Sequence, residues 1–357
     1  MWPPSLTLLA ALLFCCLGRV SSRSRRSSSQ HLREEAAEGD YDFESASGPV
    51  LRESAHLRAL RIERHCRTVQ MDLKRPAALK VRSGVLFGNY WQDNFEPTWS
   101  CPLEERIQQR DPLSTIGQSA VGYSYGDGGK WVCDPYLLKE RKCLVYSFGS
   151  NGDFAFEHGL DQRVDGACEI HIFDPFNTEG GSNVVNNAVA KVKLAERKMK
   201  VHSYGLAAYD YTTPPLSKWK GMVANFKSLQ TIARELNHTQ RVIDVLKIDI
   251  DGGEYGLLDN STWWDSFDSS TAGLRIGQLL LELHFNAISP TTFRFRDENN
   301  NWVRARTGQE VDGVMRMLYK RGFVLFHKEV NLIGKPPNDA AEFALIRLGI
   351  PCTSPSD

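Results

Sequence analysis

The chain has 357 residues, with 41% hydrophobic and 24% charged side chains, and its 43 basic and 43 acidic residues leave a formal charge of zero. That length suggests one large domain or two modest ones. The charge balance argues against a concentrated basic face for nucleic acid and against a polybasic membrane-surface protein, and no fixed period points to a solenoid or propeller.

The N-terminus reads as a targeting segment. Leu6 to Leu17, LTLLAALLFCCL, is twelve residues without a charge. Spanning a bilayer takes about 20 apolar residues. The run is therefore read as a signal-peptide core, with cleavage expected before Arg23 because Val20 and Ser22 suit the −3 and −1 positions. The run is preceded by no Lys or Arg, and Arg19, Arg23, Arg25 and Arg26 follow it, so an uncleaved anchor is the alternative. No other long apolar stretch exists, so no membrane span is expected after signal removal. Residues 23–53 carry too few apolar side chains to offset ordering entropy and are expected to form a disordered stem.

Loss of residues 1–22 leaves six cysteines, Cys66, Cys101, Cys133, Cys143, Cys168 and Cys352. An even count in an oxidising compartment permits disulfides, but the pairing stays open. For Cys143 and Cys168 the competing reading is a pair of buried thiols. Two sequons, Asn237-His-Thr239 and Asn260-Ser-Thr262, are acceptors only if lumenal and exposed.

Residues 54–135 form a preamble. Ile62, Cys66, Val69 and Leu73 define one helical face, ended by Pro76. Trp91, Phe95, Trp99, Tyr123, Tyr125 and Trp131 then lie scattered among Gly, Pro and Asp, as packing residues or as a wall for a substrate. Residues 136–350 have a regular rhythm, followed by a tail over 351–357. Strands are predicted at Cys143–Phe148, Glu169–Asp174, Val201–Leu206, Val242–Ile250, Leu279–Leu283, Phe323–Phe326 and Phe343–Ile346. Helices are predicted at Asp153–Leu160, around Val184–Val192, along the Phe226–Leu236 stripe and around Val311–Leu318. Alternating strands and helices imply an α/β fold: a Rossmann-like, seven-stranded, mainly parallel sheet ending in an antiparallel hairpin.

In open α/β sheets ligands bind beyond the carboxyl ends of the strands. After the first strand comes Ser147-Phe-Gly149-Ser150-Asn151-Gly152, whose glycines permit a tight turn and close approach to a ligand. The second strand ends at Asp174, 25 residues after Gly149, near the spacing at which an acid takes ribose hydroxyls. Turn and acid together describe a pocket for an adenosine-type cofactor. The fourth strand reads Leu246-Lys-Ile-Asp249-Ile-Asp251-Gly-Gly-Glu254. Two acids and a lysine do not belong in an apolar strand without cause, since burying charge is expensive unless it is paired. The fifth strand adds Glu282 and His284 on one face, with His284 a candidate base. A long insertion between Phe285 and Arg306 carries Phe293-Arg-Phe-Arg296, either a lid or a surface hairpin.

These residues resemble a class I S-adenosylmethionine-dependent methyltransferase. Val242–Leu258 (VIDVLKIDIDGGEYGLL), the helix Ser228–Leu236 and the ending RGFVLFHKEVN…EFALIR are similar to FkbM-type enzymes. GDGGKWVCDP followed by CLVYSFGSNGDFAFE narrows the likeness to a secretory-pathway branch. The resemblance implies S-adenosyl-L-methionine as cofactor, Gly149, Ser150, Asn151 and Gly152 along its methionine and ribose, Asp174 on the ribose hydroxyls and Asp249 near the methyl group. Asp249, Asp251 and His284 are the candidates for proton removal, and no resident metal is expected. Class I enzymes often carry an acid two residues before the first glycine; here that position is Ser147, and the glycines are spaced GxxG.

The favoured reading is O-methylation of a small-molecule or carbohydrate hydroxyl in the secretory-pathway lumen or outside the cell, without nucleic acid as partner. A metal-dependent glycosyltransferase using the DxD triplet Asp249-Ile-Asp251 is the alternative. A catalytically silent protein of the same fold, motivated by Ser147, is the third.

Overall fold

A sheet buried on both faces needs near-continuous apolar strands, and that is what the central strands supply. The computed structural model describes residues 55–74, 94–108, 129–140, 142–150, 154–175, 199–213, 223–250, 252–258, 260, 263–264, 274–284, 308–330 and 340–348, all within one unit over 42–357. The main sheet contains β3 (Leu144–Phe148), β4 (Glu169–Phe173), β5 (Met199–His202), β9 (Val242–Ile248), β10 (Arg275–His284), β11 (Phe323–Val330) and β12 (Ala340–Arg347). Its order is β11-β12-β10-β9-β3-β4-β5. β12 runs antiparallel to both β10 and β11, while the pairs from β10 through β5 are parallel. This is the seven-stranded sheet with a closing hairpin expected from the sequence, a class I methyltransferase-type fold. Strand order reverses between β3 and β9, the switch point at which such sheets bind ligands.

Strand alternation sorts the core into two layers. On one face Tyr146, Phe148, Phe173, Leu246, Leu281 and Phe343 pack with α4 (Leu229–Glu235), α5 (Glu254–Leu258) and α6 (Gly308–Lys320). On the other, Val145, Ile170, Ile172, Val245, Leu280 and Ala344 pack with α2 (Pro135–Lys139) and α3 (Ala155–Arg163). Each fully buried aliphatic or aromatic side chain contributes about 1.5–3 kcal/mol.

The second face has one more cover that periodicity did not reveal. β1 (Glu104–Ile107) and β2 (Lys130–Cys133) form an antiparallel ribbon, closed by a Cys101–Cys133 disulfide. Gln278 of β10 ties the ribbon down, accepting from the Cys133 N–H at 2.8 Å and donating to its carbonyl at 2.7 Å. Trp131 stacks on His327 of β11 with ring centroids 3.8 Å apart, and its indole N–H donates to Glu329. α1 (Ala55–Lys74) matches the predicted helix, and Arg61 lies 4.0 Å over the Trp99 ring.

Of the two open readings for Cys143 and Cys168 the disulfide holds, and Cys66 is disulfide-bonded as well. Two sequence expectations are corrected. The third predicted strand divides: β5 joins the main sheet, while β6 (Gly205–Leu206) joins a small sheet with β7 (Tyr211–Thr212) and β8 (Asn225–Lys227). Phe226 is therefore in a strand, because Ser228 caps the helix that follows, its hydroxyl accepting from the Thr231 N–H at 3.2 Å. The predicted helix at 184–192 and the loop holding Phe293–Arg296 lie outside the described residues.

Candidate functional site

The switch point is knit together by backbone. Gly149 follows β3 with φ +80°, and a Cβ there would lie 1.6 Å from the Asp249 carbonyl oxygen. Only glycine permits both the left-handed conformation and that approach. Its N–H donates to Phe173 O at 3.0 Å, and the Asp249 N–H donates to Phe148 O at 3.1 Å. The ends of β3, β4 and β9 thus meet at one point. Lys247 bridges it, its ammonium 2.6 Å from Gly149 O and 3.5 Å from Asp249 Oδ2.

On the β4 side Asp174 sits next to the glycine turn, as its spacing predicted. Its Oδ2 accepts from the Ser150 N–H at 3.3 Å and from the Ser150 hydroxyl at 3.4 Å. Both bonds are long for their type, and shorter ones to a pair of ribose hydroxyls would satisfy the same carboxylate. The glycine turn and this acid fit an adenosyl group in kind and in place. Asn151 and Gly152 lie outside the described residues. One further group was not foreseen. Ser147, standing where an acid was expected, donates its hydroxyl to Glu157, buried in the first turn of α3. The helix returns to that position the carboxylate that the strand lacks.

On the β9 side the same sheet face holds a dense ionic group. Asp249, Glu282, His284 and Glu342 all project from it, and Lys130 reaches them from β2. The Lys130 ammonium lies 3.2 Å from Asp249 Oδ2 and 3.4 Å from Glu282 Oε2 and also donates to Glu342. Glu282 and Glu342 are cross-strand neighbours on β10 and β12. His284 lies with Nε2 3.7 Å from Glu282 and Nδ1 3.5 Å from Glu254, whose Oε1 accepts the Ile250 N–H at 2.9 Å. Asp251 lies outside the described residues.

Accessibility grades across the group. The Lys130 side chain is 2% exposed, His284 14% and Asp249 20%. Burial alone would push the Asp249 carboxyl up, but the charges of Lys130, Lys247 and His284 hold it well below the usual carboxylate range. Burial, then the negative charges of Asp249 and Glu342, push Glu282 well above that range. Burial would lower Lys130, yet the charges of Asp249, Glu342 and Glu282 keep it firmly protonated. Burial likewise pushes Glu342 up, against the charge of Lys130, so the two neighbouring carboxyls both hold protons more readily than free ones. Ligand atoms of Asp249, Glu282 and His284 lie within 4.8 Å of one another, as do those of Glu169, His171 and His238 on the opposite face.

The profile of a family described as a methyltransferase domain matches residues 54–347. The chain belongs to that methyltransferase family. Among solved structures, the methyltransferase FkbM from Methylobacillus flagellatus KT is similar over 83% of this chain and 63% of its own, with 11% identity and a TM-score of 0.35. No curated protein matches the methyltransferase. The family match begins at residue 54 and includes the β1–β2 ribbon.

Lys130, Glu342 and Glu157 were missed from sequence. Lys130 and Glu342 meet Asp249 only through strand pairing and ribbon docking. Glu157 had a faint local signal, an acid in the first turn of the helix after the glycine turn.

Proposed function

We propose that this methyltransferase uses S-adenosyl-L-methionine to methylate a hydroxyl on a small-molecule or carbohydrate acceptor in the secretory pathway. The observation that carries the reading is the junction of Gly149, Asp174 and Asp249 at adjacent strand ends, bridged by Lys247. The finer likeness, to the methyltransferase-like protein 24 group, rests on the GGKWVCDP and SFGSNGDF stretches. When bound, the cofactor supplies an electrophilic methyl group on a sulfonium. Gly149, Ser150 and Asp174 would hold its ribose, and Glu157 the neighbouring amino end.

The protein's share of the chemistry is alignment and proton removal. Alignment can contribute about 7–11 kcal/mol. A carboxylate held as strongly ionised as Asp249 is a weak proton acceptor, so its role is to orient the acceptor hydroxyl. His284, partly exposed and set between Glu254 and Glu282, is the base that takes the acceptor's proton. Two ammonium ions on Asp249 speak against its use as a nucleotide-sugar metal ligand.

The lumenal placement is supported by the Cys101–Cys133 and Cys143–Cys168 bonds, which suit an oxidising compartment. No described helix is long and apolar enough to cross a membrane. Asn237 is exposed on a turn and open to glycosylation, whereas Asn260 is half-buried with its side chain accepting from the Trp263 N–H.

Calorimetry with S-adenosylhomocysteine on the folded, glycosylated protein tests the reading. Saturable heat, lost in Asp174→Ala, is expected. No heat overturns it. Methyl transfer to a panel of hydroxyl acceptors then identifies the acceptor.

A further inference from the structure

Three carboxyl groups and an imidazole gathered at a strand end are the donor set of a divalent-cation site. Here a cation is already present, and it is covalently part of the chain. Lys130 comes from the β1–β2 ribbon, outside the main sheet, and its ammonium touches Asp249, Glu282 and Glu342 together. Lys247 approaches the same Asp249 oxygen, at 3.5 Å. We infer that Lys130 is the resident cation of the acceptor end of the site, standing where a divalent metal would sit and positioning Asp249.

Three observations converge on this. First, the ammonium is almost wholly buried, so it holds one geometry instead of sampling solvent. Second, the ribbon that carries it is fixed on three sides: by the Cys101–Cys133 bond, by the paired Gln278 hydrogen bonds and by the Trp131–His327 stack. A solvated lysine would need none of these. Third, two ammonium groups, Lys130 and Lys247, are already set against Asp249 Oδ2, so the positive charge an external ion would bring is in place. A divalent ion entering among Asp249, Glu282 and His284 would meet Lys130 at contact distance and be repelled. Lys130 does not face the acceptor; it acts through Asp249 as a positioning residue.

The inference rests on reading this centre as the acceptor end, but its test does not use methyl transfer, so the two can fail separately. The probe is Mn²⁺ alone, titrated by calorimetry into the full chain. Wild type is expected to show no site at millimolar Mn²⁺. Lys130→Ala removes the ammonium and leaves room for a hydrated ion, and should gain a site at least tenfold tighter. Adding Asp249→Asn to Lys130→Ala should abolish the gain. Lys130→Arg, which keeps the charge, should behave as wild type, which a merely space-filling residue would not require. A wild-type Mn²⁺ site lost in Asp249→Asn overturns the inference, as does a folded Lys130→Ala that binds no more tightly than wild type. Should Lys130→Ala not fold, the wild-type and Asp249→Asn titrations decide: no wild-type site supports the assignment, and an Asp249-dependent one refutes it.

Discussion

Two buried polar networks lie on opposite faces of one sheet, and they solve burial differently. The network at the carboxyl ends of β9 and β10 is made of ions: Lys130 and Lys247 against Asp249 and Glu342, with Glu282 between. The network on the other face is built on neutral rings. His171 Nδ1 lies 2.9 Å from His202 Nε2, its Nε2 3.1 Å from Glu169, and Tyr146 bonds His238 at 2.8 Å. Burial pushes His171 and His202 down to about 4 and lowers His238, while Lys200 and Arg241 compensate Glu169 at the rim. The first network opens to solvent at Asp249 and His284. The second places its charges at the edge and its neutral rings within. An ionic cluster with two accessible members can act on a ligand; a neutral relay packed among Phe148 and Phe173 serves packing.

The largest effect expected from that contrast is on rate. His284→Gln should reduce methyl transfer by about 10²–10⁴-fold, the range for a general base, measured by mass spectrometry of product. His171→Gln on the other face should leave turnover within a few-fold of wild type, although it destabilises. Equal losses in both variants would erase the distinction.

Next is the ribbon that delivers Lys130. Cys101 and Cys133 close a loop with a sequence separation of 32. Cys101→Ser with Cys133→Ser should cost about 3–4 kcal/mol on the loop-entropy scale, read by chemical denaturation. The Cys143–Cys168 bond closes a loop of similar length, 25 residues apart, but joins the starts of paired strands in the main sheet. Removing that one should affect stability comparably and leave Mn²⁺ behaviour unchanged.

These two networks were not equally legible in the sequence. Asp249, His284 and the pair Gly149–Asp174 stood at strand ends, where period and composition mark them directly. Lys247 declared itself as a charge in an apolar run. Lys130 did not, because its meaning depends on a ribbon docked across β10 and β12 by contacts more than a hundred residues apart in sequence. Glu342 reads as an ordinary acid in a short strand until register places it opposite Glu282. The histidine network was invisible for the same reason. His171, His202 and His238 lie on β4, on β5 and before β9, and only parallel pairing brings them together. The fold followed from local pattern, whereas both networks are products of topology.

The neutral network predicts a pH dependence of stability, and its sign is fixed by the direction of the shifts. His171 and His202 have folded values of about 4 against about 6.5 when unfolded. Between those values the unfolded chain binds more protons, so stability contributed above pH 6.5 is lost as pH falls toward 4. Each histidine adds a slope of up to about 1.4 kcal/mol per pH unit, less for His202, which is not fully buried. Urea midpoints between pH 7 and pH 5 should show the loss, and His202→Asn should flatten it. A slope unchanged by that substitution would move the origin of the effect to another residue, such as His65, also lowered by burial to about 4.

The smallest effect separates cofactor binding from folding at Ser147. The Ser147 hydroxyl and the Glu157 carboxylate are bonded beside the glycine turn. Glutamine at 157 retains an oxygen to accept that bond, so Glu157→Gln should leave the thermal midpoint nearly unchanged. It removes the negative charge, however, and a cationic amino end of the cofactor would lose its nearest counter-ion. Affinity for S-adenosylhomocysteine should fall about tenfold, equivalent to about 1.4 kcal/mol. Ser147→Asp in the Glu157→Gln background returns an acid to the strand and should recover most of that loss. Recovery would show that the helix and the strand supply the same charge to the same place. If Glu157→Gln binds as wild type while Asp174→Ala does not, Glu157 serves the fold alone and the amino end is held elsewhere.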